Sequence, residues 1–263
     1  MLSRLFSRLN RSRPAASTGG RLVYAVGDVH GRLDVLEPLV ADILSDVRAT
    51  APKGGERPLL VFLGDYVDRG PSSAGVIDLI LQLSKNPALE VCPLKGNHEE
   101  AMLTFLYEPS FGPAWIQHGG GTTMASYGVS PPLLRNEPEA WVEANQAMLE
   151  AMPQAHRDFL TGLSLYHTVG DYAFVHAGVR PGATIDEQDE RDLLWIRYEF
   201  LEATGPFDKV IVHGHTPTEE PQMLRHRLGV DTGAYATGIL TAVRLEGESR
   251  SLIQARARRP QAA

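Results

Sequence analysis

Cysteine is almost missing from this chain of 263 residues: Cys92 is the only one. A lone thiol excludes an internal disulfide and fits the reducing cytoplasm, the expected location. Long apolar runs are missing too. None approaches the ~18 residues needed to span a membrane, and the first residues lack the apolar stretch of a secretion signal. Acid is missing from both ends. Residues 1–21 carry Arg4, Arg8, Arg11, Arg13 and Arg21, and residues 250–263 carry Arg250, Arg256, Arg258 and Arg259, with no Asp or Glu in either stretch. Because the net charge is −7, the body between them is strongly acidic. Such a body argues against general nucleic-acid binding, and it offers a phosphorylated ligand no long-range attraction.

The expected organisation is therefore a basic flexible tail over 1–20, one domain over 21–248 and a second basic tail over 249–263. In the first tail Leu2, Leu5, Phe6 and Leu9 fall at helical spacing. Contact with an anionic membrane surface is thus an alternative role for it. So short a stretch does not hold a helix alone, and a frayed tail is the preferred reading.

What the chain does have is a repeated pattern. Strand-length apolar runs end in small polar clusters: "RLVYAV" in "GDVHG", "PLLVFL" in "GDYVDRG", "EVCPLK" in "GNHEE", "YAFV" in "HAG" and "KVIV" in "HGHTP". Helical stripes separate the first three. Leu33, Leu36, Leu39, Val40, Ile43, Leu44 and Val47 form one, and Val76, Ile77, Leu79, Ile80 and Leu83 the other. Strand–helix alternation implies parallel pairing and an α/β layered fold. Residues 108–138, rich in Pro and Gly, read as surface loops. Residues 139–164 read as helical, Gly170-Asp171 as a hairpin turn, "ERDLLWIRYEFLE" as a helix, and "RLGVDTGAYATGILTAVRLE" as two β segments joined by a Gly-rich turn.

In α/β sheets the carboxyl ends of parallel strands converge on one crevice. Asp28, His30, Asp65, Asn97, His98, His176, His213 and His215 all sit at such ends. One aspartate or histidine after a strand is ordinary turn or core chemistry; five such clusters in order are not. Mixed oxygen and imidazole donors suit a borderline divalent ion, Mn²⁺, Fe or Zn²⁺. Two divalent ions would also remove the cost of burying Asp28 and Asp65. A carboxylate between them would bridge at ~3.5–4 Å, the spacing of two-metal hydrolytic sites.

The blocks "GDVHG", "GDYVDRG", "GNHE", "HAG" and "GHTP", over roughly Arg21 to Leu245, resemble the signatures of PPP-type serine/threonine protein phosphatases. The likeness is to their compact bacterial and phage form, within the calcineurin-like metallophosphoesterase superfamily. The resemblance implies a four-layer α-β-β-α sandwich with a dinuclear metal site at the C-terminal strand ends, holding two divalent ions with Mn²⁺ foremost. It implies that Asp28 and His30 bind one ion, that Asp65 bridges both, and that Asn97, His176 and His215 bind the other. It further implies that His98 is the general acid, oriented and charged by Asp68, and that Arg69, Arg197 and Asn97 hold substrate phosphate. The implied reaction is hydrolysis of a phosphate ester by a hydroxide shared between the ions. His213, two residues before His215, is given a supporting role. His118, His156, His167 and His226 are read as surface or loop histidines.

Cysteine-dependent phosphate chemistry is excluded, because the Cys-x₅-Arg spacing from Cys92 ends on His98; Cys92 reads as a buried strand residue. Asp68 favours a phosphorylated protein or peptide as the substrate, since the related hydrolases of dinucleoside polyphosphates resemble "GDxxxRG" without that second acid. Those hydrolases are the alternative reading. An inactive phosphoprotein-binding scaffold is less expected, since every ligand position is kept.

Overall fold

Alternate residues of a strand point to opposite sides, and here both sides are apolar, so the central strands need cover on both faces. In the computed structural model, which describes residues 15–50, 55–133, 136–205 and 207–257, that cover is complete. Strand β1 (Leu22–Val26) turns Leu22, Tyr24 and Val26 toward a helical layer, and Val23 and Ala25 toward a second sheet. β2 (Leu59–Phe62) divides in the same way, with Leu60 and Phe62 on the helical side and Leu59 and Val61 between the sheets. The helical layer is built on α1 (Leu33–Thr50), α2 (Ser73–Leu83) and α3 (Asn97–Tyr107), joined by α6 (Pro138–Ala151) and α7 (Gln154–Thr161). The stripes predicted for α1 and α2 are the faces they bury, including Leu36, Leu39 and Ile43 on α1 and Val76, Ile77 and Ile80 on α2.

The first sheet has the order β10-β9-β1-β2-β3, with β3 at Glu90–Pro93, β9 at Ile239–Glu246 and β10 at Ser249–Arg256. β1, β2 and β3 are parallel, in the register Val23–Leu59 and Leu59–Glu90. The second sheet runs β4-β5-β6-β8-β7, formed by Tyr166–Val169, Tyr172–Val175, Val210–His213, Arg227–Gly229 and Gln222–Met223 in that spatial order. β5, β6 and β8 are parallel. Tyr172 and Phe174 of β5 enter the inter-sheet core, while Ala173 and Val175 face the opposite way, toward α8 (Glu190–Trp195) and α9 (Tyr198–Leu201). Two helical layers thus enclose two stacked sheets, and the six parallel strands deliver their carboxyl ends to one edge. Among the described residues no helix is long and apolar enough to cross a membrane.

Several expectations are corrected. Ser249–Arg256 is no tail: it forms β10, paired antiparallel along β9 through a turn at Gly247, whose φ is +56°. A glycine tolerates that left-handed turn without cost. Residues 15–20 are also tied down, with Thr18 N donating to Gly247 O at 3.1 Å and Gly247 N to Thr18 Oγ1 at 3.0 Å. The amphipathic pattern at Leu2–Leu9 lies outside the described residues. The span 108–138 is not simply loop. It holds a short 3₁₀ turn (Pro109–Phe111) followed by α4 (Gly112–Gln117) and α5 (Gly120–Ser126), with Pro109 and Pro113 in first-turn positions where proline costs nothing. The single helix expected over "ERDLLWIRYEFLE" breaks into α8 and α9 at Arg197, which leaves helical geometry with φ −132° and ψ −100°. The two β segments near the C-terminus, β8 and β9, are present, but they belong to different sheets and the Gly-rich stretch between them holds α10 (Ala234–Thr237) rather than a bare turn. Cys92 is on β3 but only half-buried. His156 is not on the surface. It is 2% exposed on α7, with Nδ1 at 2.8 Å from the Tyr127 hydroxyl and Nε2 at 3.0 Å from Asp78.

Candidate metal centre

Each expected metal ligand sits one to four positions past a parallel strand, where the chain must turn sharply. His30, Asp65, Asp68, Arg69 and His215 all have positive φ, between 47° and 72°; no other described residue except glycine does. That conformation is disfavoured for residues with a Cβ and persists only where surroundings impose it. Glu99 is one imposing group. Its buried carboxylate accepts the amides of Asp65 (2.8 Å), Tyr66 (2.8 Å), Val67 (3.2 Å) and Gly96 (2.9 Å), clamping the "GDYVDRG" turn to the start of α3. Burial, aided by the nearby Asp65 charge, pushes the Glu99 carboxyl up to about 8. The two turns meet so closely at Gly96 that a Cβ there would lie 2.2 Å from Asp65 Oδ1. Only glycine fits.

Asp65 stands at the centre. Its Oδ2 lies 3.5 Å from His30 Nε2 and 3.9 Å from His98 Nε2, and its Oδ1 lies 3.5 Å from His176 Nε2. Two compact donor sets result, His30–Asp65–His98 and Asp65–His176–His215, and Asp65 belongs to both. Asn97 joins the second, with Oδ1 at 2.9 Å from both His176 Nε2 and His215 Nδ1. Asp28 is buried beside these sets but belongs to neither. Its carboxylate accepts the His215 amide at 3.0 Å and lies near Asp231. Burial first, then the neighbouring Asp231 and Asp65, raise the Asp28 carboxyl well above its usual range. The structure thus brings His30, Asp65, Asn97, His176 and His215 together, leaves the expected ligand Asp28 buried beside them outside both sets, and adds His98 to the His30 set.

The hydrogen bonds indicate which nitrogens face the centre as lone pairs. His30 Nδ1 donates to Val67 O at 2.9 Å and His176 Nδ1 to Leu63 O at 2.8 Å. A carbonyl can only accept, so in the neutral rings both Nε2 atoms are acceptors. Desolvation keeps the rings neutral, holding His30 down to about 3 and His176 below the ordinary range. The His176 lone pair then faces the Asp65 and Asn97 oxygens, acceptor against acceptor, while that of His30 faces Asp65 and accepts from Arg69. His215 Nε2 is buried with no hydrogen-bond partner, and burial keeps its ring neutral as well, at about 2. Inward lone pairs around a shared carboxylate, with imidazoles fixed from behind by carbonyls, are what divalent ions require of a protein. The residues fit a dinuclear divalent centre.

Beside it lies a proton-handling pair. His98 Nδ1 donates to Asp68 Oδ2 at 2.7 Å, and both side chains are buried. Desolvation opposes a charge on His98, but the Asp65 and Asp68 carboxylates outweigh it and raise its pKa. Asp68 is gripped from a region read as loop. Trp115 Nε1 of α4 donates to its Oδ2 at 3.1 Å, and Thr123 Oγ1 of α5 to its Oδ1 at 2.7 Å. Arg69 spans the front, with Nη1 at 3.0 Å from His30 Nε2 and Nη2 at 3.1 Å from His98 Nε2, its guanidinium 4.4 Å from the centre of the Tyr235 ring. Arg197 lies on the opposite side, donating to His215 O (3.4 Å) and Thr216 Oγ1 (3.2 Å). His213 stands apart from both donor sets. β6 ends at His213, and His215 then turns away with φ 63°. His213 packs on Phe200, and Arg227 Nη1 lies 3.4 Å from its Nε2.

Sequence reasoning missed Trp115, Thr123, Asp231 and the clamping role of Glu99. Glu99 alone left a signal, as the acid that closes "GNHE".

Comparison with known proteins agrees with this geometry. The model of calcineurin-like phosphoesterases matches residues 22–238. PrpE of Oceanobacillus iheyensis, named an asymmetrical bis(5'-nucleosyl)-tetraphosphatase, is 30% identical over 237 residues, which cover 83% of this chain and 86% of the relative. Among solved structures, a candidate diadenosine tetraphosphatase superposes with a TM-score of 0.57 at 20% identity, covering 92% of this chain and 99% of that one. A protein serine/threonine phosphatase of Saccharomyces cerevisiae superposes with a TM-score of 0.51 at 16% identity, covering 92% and 82%. The two structures speak for the fold alone.

Proposed function

The chain belongs to the calcineurin-like phosphoesterase family, and from that premise we propose that this metal-dependent phosphoesterase hydrolyses dinucleoside tetraphosphates asymmetrically. The observation that carries the hydrolytic part is the carboxylate of Asp65 shared between two sets of inward-facing imidazoles. The substrate part is supported by the name of the Oceanobacillus relative, which spans most of both chains. Here the proposal departs from the expectation of a protein phosphatase, which Asp68 favoured.

Asp65, His30, His176, His215 and Asn97 would hold the ions, with Asp28 alongside. Bound divalent ions supply Lewis acidity and an acidified water. The protein's own groups do the rest. Arg69 offers a planar fork of donors matched to phosphoryl oxygens. It now donates to His98 Nε2, so a phosphate that draws Arg69 onto its own oxygens frees that nitrogen. His98, held by Asp68 and raised in pKa by the carboxylates around it, can then take up a proton from solvent at Nε2 and pass it to the leaving oxygen. Arg197 supplies positive charge on the far side.

A second reading, hydrolysis of phosphoserine or phosphothreonine in proteins, is favoured by the Asp68–His98 pair, since an alkoxide leaving group needs a proton more than a polyphosphate does. The test is enzyme stripped of metal, then reloaded with Mn²⁺, Fe²⁺ or Zn²⁺, against diadenosine tetraphosphate and a phosphoserine peptide. The expected result is cleavage of the dinucleotide to AMP and ATP, only after reloading. Turnover of the peptide alone would replace this reading with the second.

A further inference from the structure

The chain has three tryptophans. Trp115 and Trp141 are buried, but Trp195, the last residue of α8, is 42% exposed. It is not left loose. Its indole Nε1 donates to Glu100 Oε2 on α3 at 2.7 Å, which fixes the ring across the gap between α8 and α3. The fixed ring stands at the metal centre: its centroid is 6.3 Å from that of His215, with the planes 80° apart. A cleft of about 510 Å³ opens there, lined by Trp195, Glu100, Glu190 and Arg191. Lys95 Nζ holds Glu190 Oε1 at 2.8 Å.

This volume lies within the range of small-ligand sites, about 300–1,000 Å³. Its chemistry is selective. Its two carboxylates, balanced in charge by Arg191 and Lys95, accept hydrogen bonds from hydroxyl and amino groups. A pinned indole offers a flat face at little entropic cost, since the ring is already ordered. Aromatic face, carboxylate acceptors and a neighbouring phosphate-binding centre together match a nucleoside joined to the phosphate under attack. The other exposed aromatic at the centre, Tyr235, already has Arg69 over its ring.

We propose that the Trp195 cleft is a nucleoside subsite, in which the base stacks on the indole and the ribose hydroxyls meet Glu100 and Glu190. The ligand class rests on the nucleotide reading above. The test is calorimetric titration of the Mn²⁺-loaded protein with AMP and with ribose 5-phosphate, alongside tryptophan fluorescence. AMP should bind about tenfold more tightly, the gain expected of one base stacking on an aromatic side chain. It should also quench fluorescence, which ribose 5-phosphate should not. In Trp195→Ala the two affinities should converge to within about twofold and the quench should vanish, while ribose 5-phosphate binds as before. Trp195→Phe keeps a stacking face and should restore most of the preference, which separates lost stacking from lost fold. Equal affinities in the unaltered protein overturn the subsite, as does a preference that survives Trp195→Ala. If AMP is preferred through Trp195 but diadenosine tetraphosphate is not cleaved, the subsite stands and the substrate reading falls. Cleavage without the preference removes the subsite alone.

Discussion

Two regions hold the reactive groups, and they are built differently. One is the rim of strand ends, where His30, Asp65 and His215 adopt positive φ on turns that leave paired strands of the two sheets. The other is the helix pair α4–α5, which reaches over and grips Asp68 through Trp115 and Thr123. The rim supplies lone pairs that need cations. The helix pair supplies neutral donors that oppose the rise burial imposes on the Asp68 carboxyl and aim it at His98. Holding ions and supporting the proton donor are thus assigned to separate parts of the chain, and each should fail in its own way.

The largest effect belongs to the rim. Loss of groups that merely support a metal ligand costs about 10–100-fold, so loss of the shared ligand in Asp65→Asn should lower turnover by more than about 10³-fold. Steady-state rates with reloaded metal check this. His98 lies between the regions. His98→Asn should cost about 10²–10³-fold on a phosphoserine peptide, within the usual range for a general acid. On a dinucleoside tetraphosphate the loss should stay below about tenfold, because polyphosphate leaves without much help. Equal losses on both substrates would remove His98 from the acid role. The helix pair comes next. Each of Trp115→Phe and Thr123→Val removes one hydrogen bond to a buried charge, worth ~1.5–3 kcal/mol, and should lower kcat about tenfold or more. Metal content by elemental analysis should not change; a variant that lost metal with activity would erase the distinction between the regions.

The smallest effect lies far from both regions. Asp46 accepts from Tyr24 and, at 2.6 Å, from Arg244. Burial would raise its carboxyl, but these two partners hold it below the usual value. A depressed folded pKa stabilises above the unfolded value of about 3.9 and is lost as pH falls through the folded one. Asp46→Asn should therefore cost at most about 1 kcal/mol near neutrality, as for a partly exposed pair. The gap to the unaltered protein should close below about pH 4 in thermal melts.

The rim was legible in the sequence because its chemistry follows from position: a polar cluster directly after an apolar strand has one edge of the sheet to occupy. The helix stripes of α1 and α2 were legible for the same reason, as periodicity reports burial. The helix pair was hidden. Pro109, Pro113 and Gly119–Gly121 suggest loop, yet prolines also open helices, and Trp115 and Thr123 gain meaning only when folded against Asp68, 47 and 55 residues away. Ser249–Arg256 was hidden because an edge strand half in solvent shows no clean alternation; only Ala255 in it is fully buried. Arg197 broke a helix that periodicity had joined, since its guanidinium reaches His215 and Thr216.

The central claim is that one carboxylate, that of Asp65, serves two cation sites. Metal per chain, measured by elemental analysis after exhaustive loading with Mn²⁺ and desalting, tests it most directly. The account predicts two ions in the unaltered protein and fewer than one in Asp65→Asn. Two ions retained in Asp65→Asn, or a single ion in the unaltered chain, would contradict it.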